Sequence, residues 1–404
     1  MPVVGLVIPS HSYRGPDFVA AAEELGVDLI VASDGDLPAI SGRILEVVPI
    51  SCDAPEEAAA RLVAASERHG VEAVLGVDDG GVMVAALAAA RLGLAHDRPE
   101  AVAATGDKAE MRRLLGEAGV GQARFAVAED AAAAVAAADA IGYPVVLKPR
   151  GLSASRGVIR ADDAPAVEAA FERVSVIIAE AGGSPPLLVE EYLRGEEVAV
   201  EALATPGGLE VLAIFDKPDP LDGPFFEETI YVTPSRYSAA VQGEVEDLVS
   251  AGVAAIGLAH GPVHAEVRLT PDGPRLVEVA ARSIGGLCGR SLRFGLLGQS
   301  LEVLLLRAAL GLNRRGMRRR ATASGAMMLP IPADGVLLGV RGTEAVAEVP
   351  GITGIEITIP PGRSIRRLPE GDRYLGFLFA EADTPDEVVA ALREAHGLLE
   401  VMIA

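Results

Sequence analysis

Strand and helix signals alternate through the first hundred residues, and this alternation restricts the fold more than any other feature of the sequence. The apolar runs VVGLVI, VDLIVA and EAVLGV are separated by the helical patterns PDFVAAAEELG and PEEAAARLVAASERHG and followed by GVMVAALAAARLG. This order predicts a doubly wound α/β domain with a parallel sheet. Ligands bind beyond the carboxyl ends of such strands, so the loops at 10–15 and 78–80 are candidates, although ordinary turn chemistry explains them equally well. The chain has no GxGxxG fingerprint, which argues against a dinucleotide site.

The pattern changes at about Thr105. An amphipathic helix, DKAEMRRLLGEAG, leads into a long stretch that is richer in strands and has hairpin-like spacing. This stretch predicts a second domain of the α+β class. The tail, with strand-like SGAMMLPI and GFLFAEA and the helix TPDEVVAALREAHGLL, predicts a third, small α+β domain. We therefore expect domains at 1–104, 105–320 and 321–404.

Composition restricts the class of protein. Half of the 404 residues are apolar, and the formal net charge is −22, which disfavours nucleic acid and anionic membranes as partners. The basic run at 314–320 has no interleaved aromatic residues, and we interpret it as a solvated connector, with an anion-binding patch as the alternative. No signal peptide or membrane span is recognised, and two cysteines, Cys52 and Cys288, do not make a disulfide framework. We expect a cytoplasmic protein.

Two glutamates face each other in the segment HAEVRLTPDGPRLVEVAAR, which reads as two strands joined by a turn. If the turn is centred on Asp272, Glu266 lies opposite Glu278, and His264 lies opposite Ala280. Opposed like charges destabilise a sheet unless a cation lies between them, and Mg²⁺ binds one or two carboxylates together with waters and phosphates. The alternative is a solvated ladder of charge, and a two-residue Asp-Gly turn would shift the register by one.

Two further segments have the composition of a nucleotide site. Lys148 ends the strand YPVVLK and is followed by the loop PRGLSASRGV, whose glycines, hydroxyls and arginines suit an anion. The segment LLVEEYLRGEE is an apolar strand that runs into paired acids, which can bind a heterocycle edge and ribose hydroxyls. Taken singly, the first is also compatible with a surface turn, and the second is better explained as a polar hairpin crossing.

Taken in order, these segments resemble the ATP-grasp superfamily of carboxylate–amine ligases. The matching segments span about residues 105 to 311 and include DKAEMRRLLGEAGV, GYPVVLKPRGLSASRGV, LVEEYLRGEEVAVEAL and HAEVRLTPDGPRLVEVAARSIGG. The tail from GAMMLPIPADG onwards is similar to the C-terminal domain of L-amino-acid ligases, the dipeptide-forming branch. The resemblance implies an N-terminal α/β domain, a central ATP-grasp fold and a small C-terminal α+β domain.

The resemblance also implies a role for particular residues. Lys108 and Lys148 would hold the nucleotide phosphates, and a loop would close over them through Ser153, Ser155, Arg156 and Gly157. Glu190 and the backbone of Glu191, Tyr192 and Leu193 would bind adenine, and Glu197 would bind the ribose. Glu266 and Glu278 would hold Mg²⁺ or Mn²⁺. The residues expected to act in catalysis are Arg282, Lys148 and Glu266.

One position departs from the family pattern. The family has asparagine two residues after the second metal glutamate, where this chain has Ala280, so a second metal would be held less firmly. His264 either fills part of that space or is satisfied within a packed sheet. Lys217 and Glu228 fall where these ligases approach the phosphates and the acceptor, although surface charge explains them equally well. Arg290 and Arg293 are candidates for binding a substrate carboxylate.

The activity implied by the resemblance is ATP-dependent amide formation. ATP would phosphorylate a carboxylic acid, expected to be an amino acid, and an amine would attack the acyl phosphate, with release of ADP and phosphate. The partners would be these small molecules, and a homodimer is the assembly that the resemblance suggests. The alternatives are a carboxylating enzyme similar to biotin carboxylase and a non-catalytic nucleotide-binding protein. The sequence does not identify the acid or the amine.

Overall fold

The computed structural model describes residues 1–35 and 42–404. Its N-terminal part is a parallel four-stranded sheet in the order β3-β2-β1-β4, which confirms the α/β prediction. Strand β3 was not predicted; it is an edge strand whose residues alternate between exposed and half-buried, except for buried Val48. The elements are β1 Val3–Val7, α1 Gly15–Leu25, β2 Asp28–Ser33, β3 Ile44–Pro49, α2 Pro55–His69, β4 Ala73–Gly76 and α3 Asp79–Leu92.

A second, antiparallel sheet follows in the order β5-β8-β6-β7. Helices α6 and α7 pack on it through a core that includes Val145, Leu147, Phe171 and Val174. This layer carries Lys148 at the end of β6 and Glu190 in β8. The elements are α4 Pro99–Gly106, α5 Lys108–Glu117, β5 Phe125–Ala128, α6 Ala131–Ile141, β6 Val145–Lys148, β7 Ile159–Ala161, α7 Ala164–Glu180 and β8 Leu187–Glu191.

The largest sheet has eight strands in the order β13-β12-β9-β10-β11-β14-β18-β16, all antiparallel to their neighbours. Its first five strands come from the central part of the chain, and α8 packs on them. The central elements are β9 Glu196–Thr205, β10 Gly208–Lys217, β11 Ile230–Thr233, α8 Ala239–Ile256, β12 Gly261–Thr270, β13 Gly273–Ala280, a short 3-10 helix at Cys288–Ser291 and α9 Leu301–Ala309.

The same sheet continues into the C-terminal part of the chain, because β14 pairs with β11. The expected division at residue 321 therefore lies between two neighbouring strands of one sheet, and the three domain ranges remain predictions. A separate three-stranded sheet has the order β17-β15-β19. The C-terminal elements are β14 Ala323–Leu329, β15 Gly335–Arg341, α10 Thr343–Ala347, β16 Ile352–Ile357, β17 Ser364–Ile365, β18 Gly376–Ala382, α11 Pro385–Gly397 and β19 Glu400–Ile403.

Helix α5, which begins beside the site, starts at a side-chain cap. Asp107 caps α5 by accepting a hydrogen bond from Ala109 N at 2.9 Å, and Arg150 pairs with the same carboxylate. This cap fixes the position of Lys108, the first residue of α5. Within the two described ranges, none of the helices combines the length and the apolar character needed to cross a bilayer.

The β12–β13 hairpin confirms the predicted pairing of Glu266 with Glu278 and of His264 with Ala280. The sequence analysis attributed this pairing to a turn centred on Asp272, and that cause was wrong because the turn is not centred there. Thr270 pairs with Gly273, which leaves a two-residue turn, and the register then shifts between the Val267–Leu276 pair and the Glu266–Glu278 pair. A β-bulge at Val277 therefore restores the pairing that a two-residue turn alone would have displaced.

Candidate active site

A deep cleft lies where the parts of the chain meet. Loops at the carboxyl ends of β1 and β4 contribute to it, as predicted for that edge of a parallel sheet. The loop after β6, the β12–β13 hairpin and a C-terminal segment complete it. The polar lining residues include His11, Tyr13, Asp78, Asp79, Lys108, Arg112, Lys148, Ser153, Ser155, Glu190, Glu191, Tyr192, Glu197, Glu228, Tyr231, His264, Glu266, Arg268, Glu278, Arg282, Asp372 and Tyr374.

Lys148 and Glu190 form a buried cluster with Arg112. Lys148 Nζ lies 2.5 Å from Glu190 Oε2, and Arg112 Nε donates to Glu190 Oε1 at 2.8 Å. Burial opposes ionisation of Glu190, but the charges of Arg112 and Lys148 outweigh it and lower its pKa to about 2. Both carboxylate oxygens of Glu190 are thus engaged by cations.

The sequence analysis missed Arg112. Its guanidinium also donates to Val277 O at 2.7 Å and so joins helix α5 to the bulge in β13. A signal was available, because Lys108, Met111, Arg112 and Leu115 recur at helical spacing on the buried face of α5. A charged residue on that face needs a partner, which here lies 78 residues away in sequence.

Lys108 connects the loop after β6 to the hairpin. Its Nζ donates to Leu152 O at 2.8 Å and lies 3.2 Å from Glu278 Oε1. Lys108 and Lys148 are both largely buried and both line the cleft, so two cations reach it from different elements.

The loop after β6 contains two non-glycine residues in the left-handed region. Ala154 has a φ of 55° and Ser155 a φ of 54°, a conformation that costs energy for residues with a Cβ. Ser153 and Ser155 line the cleft. Arg156 instead points towards Glu180, at 3.9 Å, and Gly157 N donates to Pro369 O at 2.9 Å. Neither of these two residues is in the cleft lining.

Lys217 is surrounded by carboxylates. Its Nζ lies 2.5 Å from Glu197 Oε1 and 3.4 Å from Glu266 Oε1, and it also pairs closely with Glu228. These carboxylates raise its pKa well above the usual value in spite of burial. The sequence did not decide between a site role and surface charge for Lys217 and Glu228. The structure shows that neither is a simple surface charge.

The same carboxylates suit a hard cation. Single oxygens of Glu197, Glu228 and Glu266 lie within 4.8 Å of one another, and oxygen ligands are those that Mg²⁺ prefers. Burial raises the pKa of Glu266, the effect expected of a carboxyl group that lacks full charge compensation. Glu278, the second predicted ligand, pairs with Lys108. The residues present therefore fit a divalent cation, with Glu266 common to the predicted pair and the observed cluster.

Arg282 joins the segment after β13 to the start of α3. Its guanidinium donates to both carboxylate oxygens of Asp79, at 2.8 and 3.1 Å. Next to it, buried Arg14 donates to Ile284 O at 3.3 Å and to Glu302 Oε1 at 2.7 Å. Both candidate N-terminal loops are thus held against the segment that follows β13.

His264 and Glu201 form a buried pair beneath Glu266. His264 Nδ1 lies 3.4 Å from Glu201 Oε2, which also accepts a hydrogen bond from Ile284 N at 2.8 Å. Burial lowers the pKa of His264 and raises that of Glu201. His264 Nε2 lies 3.9 Å from Glu266 Oε1, so its ring lies between Glu201 and Glu266.

One end of the cleft is apolar. Val146, Tyr192, Leu221 and Phe226 pack into a small cluster that suits a flat heterocycle. Arg268 closes it, because its Nη2 donates to Leu221 O at 2.6 Å. Glu191 lies at the rim of the cleft, paired with Arg124, and Glu197 binds Arg268 Nε at 2.7 Å.

Another part of the lining contains aromatic residues and a thiol. Tyr231 donates to Glu228 at 2.9 Å, and the hydroxyl of Tyr374 is buried without a partner in the described chain. Met328 and Cys288 lie beside them in the lining, and burial raises the pKa of the Cys288 thiol, which makes it a poor nucleophile. A small organic substrate would meet these side chains.

The two candidate carboxylate-binding arginines lie elsewhere. Arg290 pairs with Asp17 and Glu356, so it joins the N-terminal and C-terminal parts of the chain. Arg293 lies with Arg290 in a separate surface depression. Neither lines the cleft, and among the predicted substrate residues Glu228 does.

Comparison with known proteins follows the same order along the chain. Residues 19–96 match the ATP-grasp N-terminal domain family, residues 141–291 the ATP-grasp domain family, and residues 327–404 the L-amino acid ligase C-terminal domain 2 family. Among curated proteins, alanine–anticapsin ligase of Bacillus subtilis is 29% identical over 252 residues, which cover 57% of this chain and 52% of that protein. The chain spans 61% and 52% of the lengths of the first two curated relatives it matches.

Solved structures agree on the fold. The L-amino acid ligase of Bacillus licheniformis superposes with a TM-score of 0.83 at 24% identity, covering 100% of this chain and 99% of that one. The biotin carboxylase domain of the 2-oxoglutarate carboxylase of Hydrogenobacter thermophilus, solved as a dimer with MgADP, ADP and bicarbonate, has a TM-score of 0.72 at 19% identity and covers 99% of this chain and 90% of that one. The chain belongs to the ATP-grasp superfamily and carries the C-terminal domain of the L-amino-acid ligase branch.

Proposed function

We propose that this protein is an ATP-dependent ligase that joins the carboxyl group of an amino acid to an amine through an acyl phosphate. The names of two similar proteins, an alanine–anticapsin ligase and an L-amino acid ligase, support amide formation between amino acids. The cleft lining combines an apolar cluster, a set of charged side chains and a group of aromatic residues, which supports the binding of more than one group.

The nucleotide would occupy the apolar end and the middle. Its adenine would lie against Tyr192 and Phe226, and its phosphates would lie near Lys108 and Lys148. Glu266 and Glu278 would hold Mg²⁺, which supplies positive charge to the β- and γ-phosphates when bound. Arg282 is fixed by Asp79 and would neutralise charge on the transferred phosphoryl group.

The chemistry solves the problem that a carboxylate has no good leaving group. A carboxylate oxygen attacks the γ-phosphorus, the bond from that phosphorus to the β–γ bridging oxygen breaks, and ADP leaves with those electrons. The amine nitrogen then attacks the acyl carbon, the carbon–oxygen bond breaks, phosphate leaves, and the nitrogen loses a proton to solvent. The loop with Ser153 and Ser155 would exclude water from the acyl phosphate.

One observation carries this proposal. Cations from α5 and β6, carboxylates from β9 and the β12–β13 hairpin, and Arg282 all converge on one cleft that also reaches an aromatic end. A protein that only bound nucleotide would need the apolar end and the lysines but not the second compartment. The biotin-carboxylase-like alternative would place bicarbonate there instead of an organic acid.

The test is ADP release with Mg²⁺ and ATP, screened over pairs of amino acids and with bicarbonate as a separate acid, with the amide product identified by mass spectrometry. Glu278→Gln should abolish the release, whereas Glu67→Gln, an exposed change on α2, should preserve it. ADP release that needs two amino acids and yields their amide supports the proposal. Release stimulated by bicarbonate alone, or nucleotide binding without any acid-dependent release, would overturn it.

A further inference from the structure

A second cavity lies between the N-terminal α/β part of the chain and the large sheet. Residues of β4 and α3 line it, together with the end of β9, the start of β12 and helix α9. We call it the β4 crevice, and among the described residues its lining shares none with the active-site cleft. Its volume is about 170 Å³. A cavity of about 150 Å³ holds benzene, so the crevice has room for an organic molecule of about six to eight non-hydrogen atoms.

The wall of the crevice is built mainly from small apolar side chains. Alanine is its commonest residue, and valine, leucine and proline supply much of the remainder. Ala86 on α3 and Ala308 on α9 both belong to the wall. Short side chains leave the space open because they do not reach across it. Such a wall suits the hydrocarbon part of a ligand, but it does not by itself select one.

One buried carboxylate belongs to the same lining. Asp97 is 9% exposed, and its Oδ1 accepts hydrogen bonds from Ala259 N at 2.6 Å and His260 N at 2.8 Å. Within residues 1–35 and 42–404, its Oδ2 has no hydrogen-bond partner. Asp97 therefore holds the loop before β12 with one oxygen and leaves the other available to a ligand.

The charge of Asp97 is not balanced by a lysine or an arginine. No such residue in the described part of the chain lies within ion-pair distance of it, and Arg314, the arginine of the lining, pairs with Glu210 at 2.6 Å. Burial raises the pKa of Asp97, although the hydrogen bonds from Ala259 and His260 oppose that effect. Buried carboxylates are rare without a partner, so the crevice combines an apolar wall with an unbalanced negative charge.

We infer that the β4 crevice binds a small aliphatic amine, whose ammonium group lies on Asp97 Oδ2 and whose hydrocarbon part lies against the alanines. An ammonium donates charge-assisted hydrogen bonds to a carboxylate, and salt screens this attraction less at a buried site than at the surface. The imidazoles of His96 and His260 also line the crevice and, when neutral, offer nitrogen acceptors to the same group. An organic anion would instead meet the charge of Asp97. This inference does not rest on the proposed function.

The crevice adjoins the elements that hold Arg282. Ala281 is part of its lining, and the next residue, Arg282, lines the active-site cleft and pairs with Asp79. Asp79 is the first residue of α3, whose Ala85 and Ala86 line the crevice. A bound amine would therefore contact both of the segments that the Arg282–Asp79 pair joins.

The first test is isothermal titration calorimetry of the full chain, without nucleotide and at neutral pH, with isoamylamine, isoamyl alcohol and isovalerate. These probes share a branched hydrocarbon part and differ in charge. We expect a dissociation constant of about 1 mM for isoamylamine, a value at least about tenfold higher for the alcohol, and no binding of the anion. Equal binding of amine and alcohol, or no binding of the amine at about 50 mM, would overturn the inference.

Asp97→Asn tests the charge without removing the oxygen that Asp97 presents to Ala259 N and His260 N. Because asparagine keeps a side-chain acceptor, circular dichroism should show an unchanged fold, whereas the dissociation constant for isoamylamine should rise at least about tenfold. Asp383→Asn, the same change at an exposed aspartate, is the control and should leave the constant unchanged. An equal constant in wild type and Asp97→Asn would contradict the inference.

Two further variants locate the bound amine. Ala308→Leu places a larger side chain in the lining and should abolish binding of both the amine and the alcohol. Glu228→Gln removes a carboxylate of the active-site cleft and should leave amine binding unchanged, because the two cavities are lined by different residues. Loss of binding in Glu228→Gln and its retention in Ala308→Leu would place the amine in the cleft and refute the inference. If Ala308→Leu does not fold, Asp97→Asn decides alone.

Discussion

Lys217→Met tests the view that a buried ammonium compensates the carboxylate cluster of the cleft. The lysine side chain is 3% exposed and contacts Glu197, Glu228 and Glu266, which are 7%, 15% and 21% exposed, so solvent screens these pairs only weakly. Removing one partner of a buried ion pair costs about 3–5 kcal/mol. We expect a loss of stability of that size in the presence of a chelator.

Mg²⁺ should then restore part of the loss, because the three carboxylates that remain are oxygen ligands within reach of one ion. A ligand at a hundredfold its dissociation constant stabilises the folded state by about 2.7 kcal/mol. The assay is urea unfolding followed by circular dichroism, since the chain has no tryptophan. Arg341→Met, which removes an exposed cation, is the control and should cost less than about 1 kcal/mol. If Lys217→Met lost as little stability as the Arg341→Met control, the reasoning would be refuted. An equal response to Mg²⁺ in wild type and Lys217→Met would refute it as well.

Three further predictions concern buried or paired charges. Glu190→Gln should make the free energy of unfolding less dependent on pH at acid pH. The low pKa of Glu190 stabilises the fold fully above about pH 4.3, the pKa of an unfolded glutamate, and this contribution is lost as the pH falls towards 2. Urea midpoints that change with pH in the same way in wild type and variant would contradict the prediction. Arg14→Met should cost about 3–5 kcal/mol in urea unfolding because it strands buried Glu302, and adding Glu302→Leu should recover most of that loss. Arg282→Lys should lower kcat for ADP release by about a hundredfold with little change in KM for ATP, and an unchanged kcat would exclude its assigned role.

Local sequence patterns predicted the helices and strands better than they predicted which segments contact one another. The strand–helix alternation predicted the N-terminal sheet, because buried parallel strands are continuous apolar runs. Strand β3 was missed because this edge strand is not a continuous buried apolar run. The prediction that Glu266 pairs with Glu278 was correct, but the pairing arises from the bulge at Val277 and not from the expected turn. The sequence does not reveal this bulge, because it depends on the strands that flank it.

The structure places predicted residues in the cleft mainly where their position depends on their own segment, and their roles remain predictions. Lys108 reaches the cleft from the first residue of α5, Lys148 from the last residue of β6, and Glu266 from the middle of β12. The partners of Glu190 and the displacement of Arg290 depend on contacts between segments distant in sequence, as in the pairing of Arg290 with Asp17, 273 residues away. Such contacts leave no periodic signal in one sequence.

The large sheet determines when the site can exist during synthesis. A ribosome that has released only the first 320 residues has made both lysines and the glutamate hairpin, but β11 still lacks its neighbour β14. Met328, Asp372 and Tyr374, which line the aromatic end, have not yet been made. The lining of the cleft is therefore incomplete until residues 321–404 have been made and β14 has paired with β11.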